Sequence, residues 1–195
     1  YPYNLSDTLT FDETYIKVNA KPHYVFFGSD TVNKIITSYR IFDHRTTRNA
    51  VTTLYESINK YSSIPTDLNI VTDGNPIYNA AQVFFSMNDI NFDLYQVIGV
   101  KNNDEISRTW RPFKQAEERL NRTYKQNYYG TNGYSSLRNA NVYISLYVTF
   151  FNFLRTHSAL DNRTPIILNS LHNTHLMPNK WIQLINFTNS LFHVC

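Results

Sequence analysis

The stretch TYIKVNAKPHYVFFGSDTVNKIITSYRIF (residues 14–42) contains three runs rich in β-branched and aromatic residues, separated by turn signals such as NAKP. Each run has the length and composition of a strand, and the connections are short. Consecutive strands joined by short turns pair with their neighbours in an antiparallel meander. The stretch therefore predicts three strands at the start of the fold.

Helices and strands alternate after the meander. Apolar residues recur at helical spacing in residues 48–61, which predicts a helix that ends before Pro65. The run DLNIVTD (residues 67–73) ends in an acidic turn and leads into a helical pattern from about 77 to 87, which is typical of a β-α unit. The run LYQVIGV (residues 94–100) predicts a fifth strand.

A polar segment from Lys101 to Thr109 then predicts a loop, and two long helical patterns follow, about Pro112 to Tyr128 and about Ser135 to His157. The order is three strands, helix, strand, helix, strand, helices. This order matches the α/β arrangement of the RNase H-like fold, a five-stranded mixed sheet flanked by helices. A doubly wound nucleotide-binding fold fits less well, because no glycine-rich loop follows the first strand.

We expect residues 1–160 to form this core and residues 161–195 to form a tail that packs on the core or leads out of it. Hydrophobic residues make up 42% of the sequence and charged residues 17%, which indicates a packed globular chain. The single cysteine, Cys195, excludes an internal disulfide and a cysteine-based metal site. No run approaches the roughly 18 apolar residues of a membrane span, so we expect a cytoplasmic protein.

The net charge of +3 is too small to indicate nucleic acid by itself. The distribution of the charge is a stronger indication than its sum, because basic residues are concentrated between positions 101 and 125. They are Lys101, Arg108, Arg111, Lys114, Arg119, Arg122 and Lys125.

Three carboxylates fall where an RNase H-like fold can bring them together. Asp12 is expected to open the first strand, Asp73 ends the neighbouring fourth strand, and Glu118 lies in the first long helix. Two-metal phosphoryl transfer requires anionic oxygen ligands that converge on two divalent cations. Taken singly, each acid is more typical of a turn, a helix cap or a solvated helix face. Their joint placement favours a metal site.

Several motifs, in order along the chain, resemble the catalytic domain of DDE transposases of bacterial insertion sequences, in the broad integrase-like group. The motifs are DETYIKV from Asp12, VTDGNPIY from Val71, FKQAEERLNRTYK from Phe113, NFLRTH from Asn152 and RTP from Arg163. The resemblance covers almost the whole chain.

The resemblance implies a polynucleotidyl transferase that uses two Mg²⁺ or Mn²⁺ ions, with Asp12, Asp73 and Glu118 as catalytic residues and metal ligands. The implied partners are transposon ends and target DNA, and the implied assembly is a homo-oligomer in a synaptic complex, in the nucleoid of a bacterium. Forty-four residues separate Asp73 from Glu118, more than in many members of the family. We attribute the excess to a loop insertion at Lys101–Arg111.

Glu117 is the alternative third ligand. The family pattern has a glutamate directly before Arg-Leu-Asn, which favours Glu118. Consecutive helical residues point about 100° apart, so only one of the two can face the sheet edge.

The same helix carries the candidate DNA-binding residues. Arg122 and Lys125 share a stripe with Glu118, and Asn121 and Lys114 are further candidates for DNA contact. The alternative for Arg122 is an ordinary salt bridge with Glu118, four residues before it.

Two residues have simpler predicted roles. Glu13 alternates with Asp12 along the strand and is expected to face away from the site. His157 is expected to cap the end of the last long helix, with contact to DNA as the alternative.

Other functions remain compatible with the sequence. A nuclease would need the same acids without strand joining, and a non-catalytic DNA-binding or assembly module would need none of them. No segment before Asp12 is long enough for a helix-turn-helix, so we expect recognition of transposon ends to come from elsewhere.

Overall fold

A computed structural model describes residues 3–98, 104–171 and 173–192. Its regular elements, in chain order, are β1 (Thr8–Val18), β2 (Lys21–Asp30), β3 (Ile35–Phe42), α1 (Thr47–Ile58), β4 (Asn69–Thr72), α2 (Pro76–Ser86), β5 (Asp93–Gln96), α3 (Glu105–Tyr129), α4 (Leu137–Thr149) and α5 (Met177–Phe192). A π-helical turn (Phe150–Leu154) extends α4, and two short 3₁₀ turns precede α5.

The five strands form one mixed sheet in the order β3-β2-β1-β4-β5. The pairs β1–β2 and β2–β3 are antiparallel, while β1–β4 and β4–β5 are parallel. The predicted meander, the β-α unit of β4 and α2, and the five-stranded mixed sheet are therefore confirmed. Of the predicted strand at 94–100, Gly99 and Val100 lie outside the described residues.

Alternation along the strands gives the sheet two apolar faces. Ile16 and Phe27 belong to a buried cluster that includes Tyr124 of α3 and Ile144 of α4. Leu9, Phe11 and Phe26 belong to a second cluster on the other face, which is covered by α1 and α2. The sheet is thus the middle of three layers, and α3 covers the face toward which the even-numbered residues of β1 point.

The start of α3 differs from the prediction. The helix begins at Glu105, not near Pro112, because the Asp104 side chain caps it by accepting a hydrogen bond of 2.8 Å from the Ser107 backbone N–H. The predicted loop insertion at Lys101–Arg111 is therefore wrong from Glu105 onward, and residues 101–103 lie outside the described residues.

The last long helix is also shorter than predicted. α4 ends at Thr149, and the π-helical turn that follows ends at Leu154, before an extended segment. The His157 backbone pairs with Arg163 in an isolated bridge, and its N–H donates to the Arg163 carbonyl. The prediction that His157 caps the helix is wrong, because the chain has left the helix two residues earlier.

The segment after the core contributes a small apolar cluster of its own. Leu184 of α5 is buried together with Leu154, Leu168 and Leu171. No helix in the described part of the chain is both long enough and apolar enough to cross a lipid bilayer.

Candidate active site

The two aspartates meet because β1 and β4 run parallel and end at different points. Thr10 pairs with Val71, and β4 stops at Thr72 whereas β1 continues to Val18. Continuing the register by two residues sets Asp73 beside Asp12. Asp12 lies five residues into β1, so the prediction that it opens the strand is wrong, since β1 already begins at Thr8 to pair with β4.

One carboxylate oxygen each from Asp12, Glu13 and Asp73 lies within 4.8 Å of the other two. Glu13 was expected to face away from the site. Its side chain does leave β1 on the opposite face from Asp12, but β4 ends beside it, so no strand separates the Glu13 carboxylate from Asp73. Burial, and after it the negative charge of Asp73, raises the pKa of Glu13 to about 7.

Two residues of α3 hold the Asp12 carboxylate in place. The Lys114 ammonium lies 3.0 Å from Asp12 Oδ1, and Asn121 donates to Asp12 Oδ2 over 2.9 Å. Lys114 and Asn121 are seven residues apart, which places them on one face of the helix. Both were candidates for DNA contact, and in the structure both contact Asp12 and are buried.

The turn after β4 is fixed by hydrogen bonds around Asp73. Asp73 Oδ1 accepts from the Asn75 backbone N–H, and Gln96 at the end of β5 donates to the Asp73 and Asn75 carbonyls over 3.0 and 3.1 Å. The sequence analysis missed Gln96. Its position at the end of the next parallel strand was the available signal, because the ends of parallel strands meet at one sheet edge.

Glu117 and Glu118 have opposite environments. Glu117 is fully buried, and its Oε2 accepts hydrogen bonds from Thr10 Oγ1 over 2.7 Å and from Ser29 Oγ. Burial raises the pKa of Glu117 to about 7, against the lowering effect of these two hydrogen bonds. Glu117 therefore joins α3 to β1 and β2.

Glu118 is exposed. It lies four residues after Lys114 and three before Asn121, on the face of α3 that contacts Asp12. Among the described residues, the compact carboxylate cluster consists of Asp12, Glu13 and Asp73 and does not include Glu118. The structure thus brings together two of the three predicted ligands and places the third on the adjacent helix face.

The two remaining candidates for DNA contact, Arg122 and Lys125, differ in how much of their side chains is already in contact with the protein. Arg122 is exposed on α3. The Lys125 ammonium donates to the Tyr15 carbonyl and lies 5.0 Å from the ring centre of Tyr128. Arg122 is therefore the better placed of the two for a phosphate, because Lys125 already packs on aromatic rings. DNA contact by Arg122, Lys125, Asn121 and Lys114 stays a prediction.

The donor set fits a divalent cation. Carboxylate oxygens are the ligands that Mg²⁺ and Mn²⁺ prefer, and the three clustered oxygens are close enough to share one ion. Clustered acids that repel one another in a partly buried site gain free energy when a cation binds between them.

The sequence and the structure were compared with those of known proteins. A family model of the DDE domain, of the IS240 transposase type, matches residues 6–157. No curated protein shows significant sequence similarity to the chain. The structure is similar to the HTLV-2 integrase catalytic core domain solved with magnesium, at 16% identity and a TM-score of 0.57 over 84% of this chain and 96% of that one.

It is also similar to a chain of the simian T-cell lymphotropic virus intasome bound to the PP2A regulatory subunit B56 gamma. That likeness has 18% identity and a TM-score of 0.58, and covers 89% of this chain and 57% of that one. At these identities the similarity concerns the fold, which is the RNase H-like fold of integrase catalytic cores.

Proposed function

This chain belongs to the DDE domain family, and from that premise we propose that it is the catalytic core of a DNA transposase. It would cleave DNA at transposon ends and join the freed 3′-hydroxyls to target DNA. The observation that carries the proposal is the meeting of the Asp12 and Asp73 carboxylates at the end of β4, within 4.8 Å.

The proposed metal ligands are Asp12, Asp73 and Glu118. Bound Mg²⁺ or Mn²⁺ ions, two in the proposed reaction, would activate the attacking oxygen and stabilise the leaving oxygen. Glu118 is exposed on the face of α3 that contacts Asp12, and the long flexible side chain of a glutamate would let its carboxylate turn toward a bound cation. Glu13 is a further carboxylate in contact range of the same site.

The chain's own side chains prepare this site. Asn121 fixes one oxygen of Asp12, so the carboxylate keeps a single orientation when the other oxygen binds a cation. Lys114 balances the clustered negative charge. Gln96 holds the backbone of the Asp73 turn, which keeps the second carboxylate at the sheet edge.

The proposed partner is DNA, both transposon ends and target. Arg122 on α3 is exposed beside Glu118 and would contact a phosphate near the scissile bond. A homo-oligomer is proposed for the synaptic complex, because two transposon ends must be held together for joining. Bacterial cytoplasm, at the nucleoid, is the proposed place of action.

A second candidate function is a non-catalytic DNA-binding or assembly module. The observation that favours it is the position of Glu118 outside the carboxylate cluster, together with the Lys114 ammonium on Asp12. An RNase H-like nuclease uses the same acids and differs in lacking strand joining.

Cleavage of labelled transposon-end DNA in Mn²⁺ or Mg²⁺ separates these candidates. We expect metal-dependent cutting by the parent chain and a loss of at least about 100-fold in Asp73→Asn and Asp12→Asn, since removal of an outer-shell partner of a metal already costs 10- to 100-fold. The matched control is Asp67→Asn, an exposed acid before β4 that should retain parental activity. Joined products identify a transposase, and cutting without joining identifies a nuclease. Equal cutting by Asp73→Asn and the parent would contradict the proposed site.

A further inference from the structure

A second site is suggested by a cavity of about 340 Å³ beside α3. It is lined by the end of β2, by Arg119 and Thr123 of α3, and by the segment 155–159 after the π-helical turn. Arg119 and Thr123 lie about 140° and 180° round the helix from Lys114. The cavity is therefore on the flank of α3 opposite to the face that contacts Asp12.

The cavity carries an excess of positive charge. Lys34, Arg119 and Arg155 line it, against one carboxylate, that of Asp30. In the described part of the chain, none of these three cations forms an ion pair with a carboxylate. Burial and the nearby Arg119 charge lower the pKa of Lys34, against the raising effect of Asp30.

The Asp30 carboxylate is already committed to the backbone. Its Oδ1 accepts from the N–H groups of Val32 and Asn33, and its Oδ2 accepts from the Ser6 N–H and the Asn33 amide. Four donors on two oxygens satisfy this group. Within the described residues it forms no ion pair with the three cations. Lys34 donates to the Thr31 carbonyl and Arg119 Nε to the Gln115 carbonyl, and both side chains have further N–H groups for an external anion.

Two buried polar atoms at the cavity wall also lack a partner within the described residues. They are Thr31 Oγ1 and His157 Nε2. An unpaired buried polar atom costs free energy, and a ligand that supplies its hydrogen bond recovers that cost. The Thr31 hydroxyl can donate to an anion. Burial and the Arg155 charge lower the pKa of His157, and an anion bound beside the ring would favour its protonated form, which donates from Nε2.

The rest of the wall combines small polar side chains with an apolar patch. Leu120 and Phe151 contribute buried side chains, and the Arg155 guanidinium lies over the Phe151 ring, 5.4 Å from its centre. A volume of about 340 Å³ exceeds what an inorganic phosphate fills and suits a phosphate attached to a sugar.

We propose that this pocket binds a phosphate group carried by a nucleotide or a nucleic-acid strand. Arg119, Arg155 and Lys34 neutralise the phosphate, Thr31 and His157 donate hydrogen bonds to it, and the sugar packs on Leu120 and Phe151. Planar guanidinium groups are well matched to phosphate oxygens. The site needs no metal and does not depend on Asp12, Asp73 or Glu118.

Calorimetric titration in EDTA tests the pocket separately from any metal-dependent chemistry. The titrants are inorganic phosphate, a deoxynucleoside 5′-monophosphate and a short single-stranded DNA without a terminal phosphate. The variants are Arg119→Gln, which is exposed, and Arg155→Gln, with Arg138→Gln on α4 as the control for loss of one positive charge elsewhere.

We expect saturable binding that Arg119→Gln and Arg155→Gln each weaken by about tenfold or more, as for the loss of one charge-assisted hydrogen bond. Arg138→Gln should bind like the parent. Binding of the monophosphate and phosphate identifies a terminal phosphate as the ligand, and binding of the strand alone identifies an internal phosphodiester.

Two results would overturn the proposal. One is the absence of binding by all three titrants. The other is binding that Arg119→Gln and Arg138→Gln weaken equally, which would indicate a general effect of net charge. Since Arg155 packs on Phe151, the exposed Arg119 decides the outcome if Arg155→Gln fails to fold. Neither result bears on cleavage at Asp12 and Asp73.

Discussion

On α3, two adjacent glutamates lie in different surroundings, and we expect one to stabilise the fold and the other to bind metal. Glu117 is buried against the hydroxyls of Thr10 and Ser29, whereas Glu118 is exposed next to the residues that contact Asp12. A neutral carboxylic acid is tolerated in such a buried position more easily than a carboxylate. The contribution of Glu117 to the free energy of unfolding therefore depends on whether its carboxyl group is protonated.

The first prediction concerns the pH dependence of stability at Glu117. Its folded-state pKa, raised by burial to about 7, exceeds the ordinary value of 4.5, so the folded chain holds a proton that the unfolded chain loses. This contribution is fully present below pH 4.5 and is lost as pH rises through about 7. Glu117→Gln removes the titration, so the variant should match the parent near pH 5 and exceed it at pH 8 by up to about 3 kcal/mol.

Thermal melting at the two pH values measures this effect, and a difference of that size corresponds to roughly 5 °C or more in Tm. Glu118→Gln is the matched control and should show no such dependence, because its carboxylate is exposed. A Glu117→Gln variant that is equally destabilised at both pH values would contradict the assignment.

At the level of single residues, the sequence predicted which aspartates lie close together but not which side chains contact them. The proximity of Asp12 and Asp73 could be predicted, because the order of the strands places them side by side. The Lys114 and Asn121 contacts to Asp12 depend on how α3 is rotated against the sheet, and the basic cluster around Lys114 gave a DNA-facing interpretation instead. Glu13 was misjudged, because alternation along β1 does not show that β4 ends beside it.

Among the elements, the π-helical turn between α4 and the C-terminal segment has a specific structural cause. Asn152 in this turn is buried, with Oδ1 accepting from the Ile36 N–H and Nδ2 donating to the Ile36 carbonyl, each over 2.9 Å. These bonds satisfy the backbone of β3 at a point where it has no further strand to pair with. The widened helical turn brings Asn152 to that position.

The second prediction concerns Asn152→Ala. The substitution removes both side-chain hydrogen bonds and leaves the buried Ile36 N–H and carbonyl without partners, which should cost about 2 to 4 kcal/mol. Chemical denaturation measures the loss. Asn141→Ala on the exposed face of α4, where the amide bonds only its own helix, should change stability by less than about 0.5 kcal/mol. A cost below about 1 kcal/mol for Asn152→Ala would contradict the bridging role.

Element prediction succeeded where pattern and capping agree. The strands β1 to β3 were predicted from runs of β-branched and aromatic residues between turn signals, and α2 from the turn at Asn75 and Pro76 before an apolar helical pattern. The start of α3 and the end of α4 were missed, each for a physical reason. Asp104 caps a polar first turn that carries no apolar periodicity, and Asn152 forms its bonds with a strand more than a hundred residues away in sequence.

In the whole molecule, α3 separates two sites of opposite charge. The carboxylate cluster of Asp12, Glu13 and Asp73 lies at one flank, and the basic cavity with Arg119 and Arg155 lies at the other. The net charge of +3 does not show this division, because it sums the charges of the whole sequence. Under the two proposals, a DNA strand that crosses α3 would contact both the proposed metal site and the proposed phosphate pocket.

For the molecule as a whole, the sequence predicted the topology of the sheet but not the cavities on its surface. The order of strands and helices allows few arrangements, and the RNase H-like sheet is the one observed. The basic cavity could not be foreseen, since it combines the end of β2, the far flank of α3 and the segment after the π-helical turn. The division between residues 1–160 and 161–195 stays a prediction.

The most direct test of the central claim is metal-dependent DNA cleavage by the parent, Glu118→Gln and Glu117→Gln, assayed side by side. If Asp12, Asp73 and Glu118 form the site, cleavage falls by at least about 100-fold in Glu118→Gln. Glu117→Gln should retain activity within a few-fold at a temperature where it is folded. Loss of cleavage in Glu117→Gln with full activity in Glu118→Gln would contradict the account, because the buried glutamate would then be the catalytic ligand.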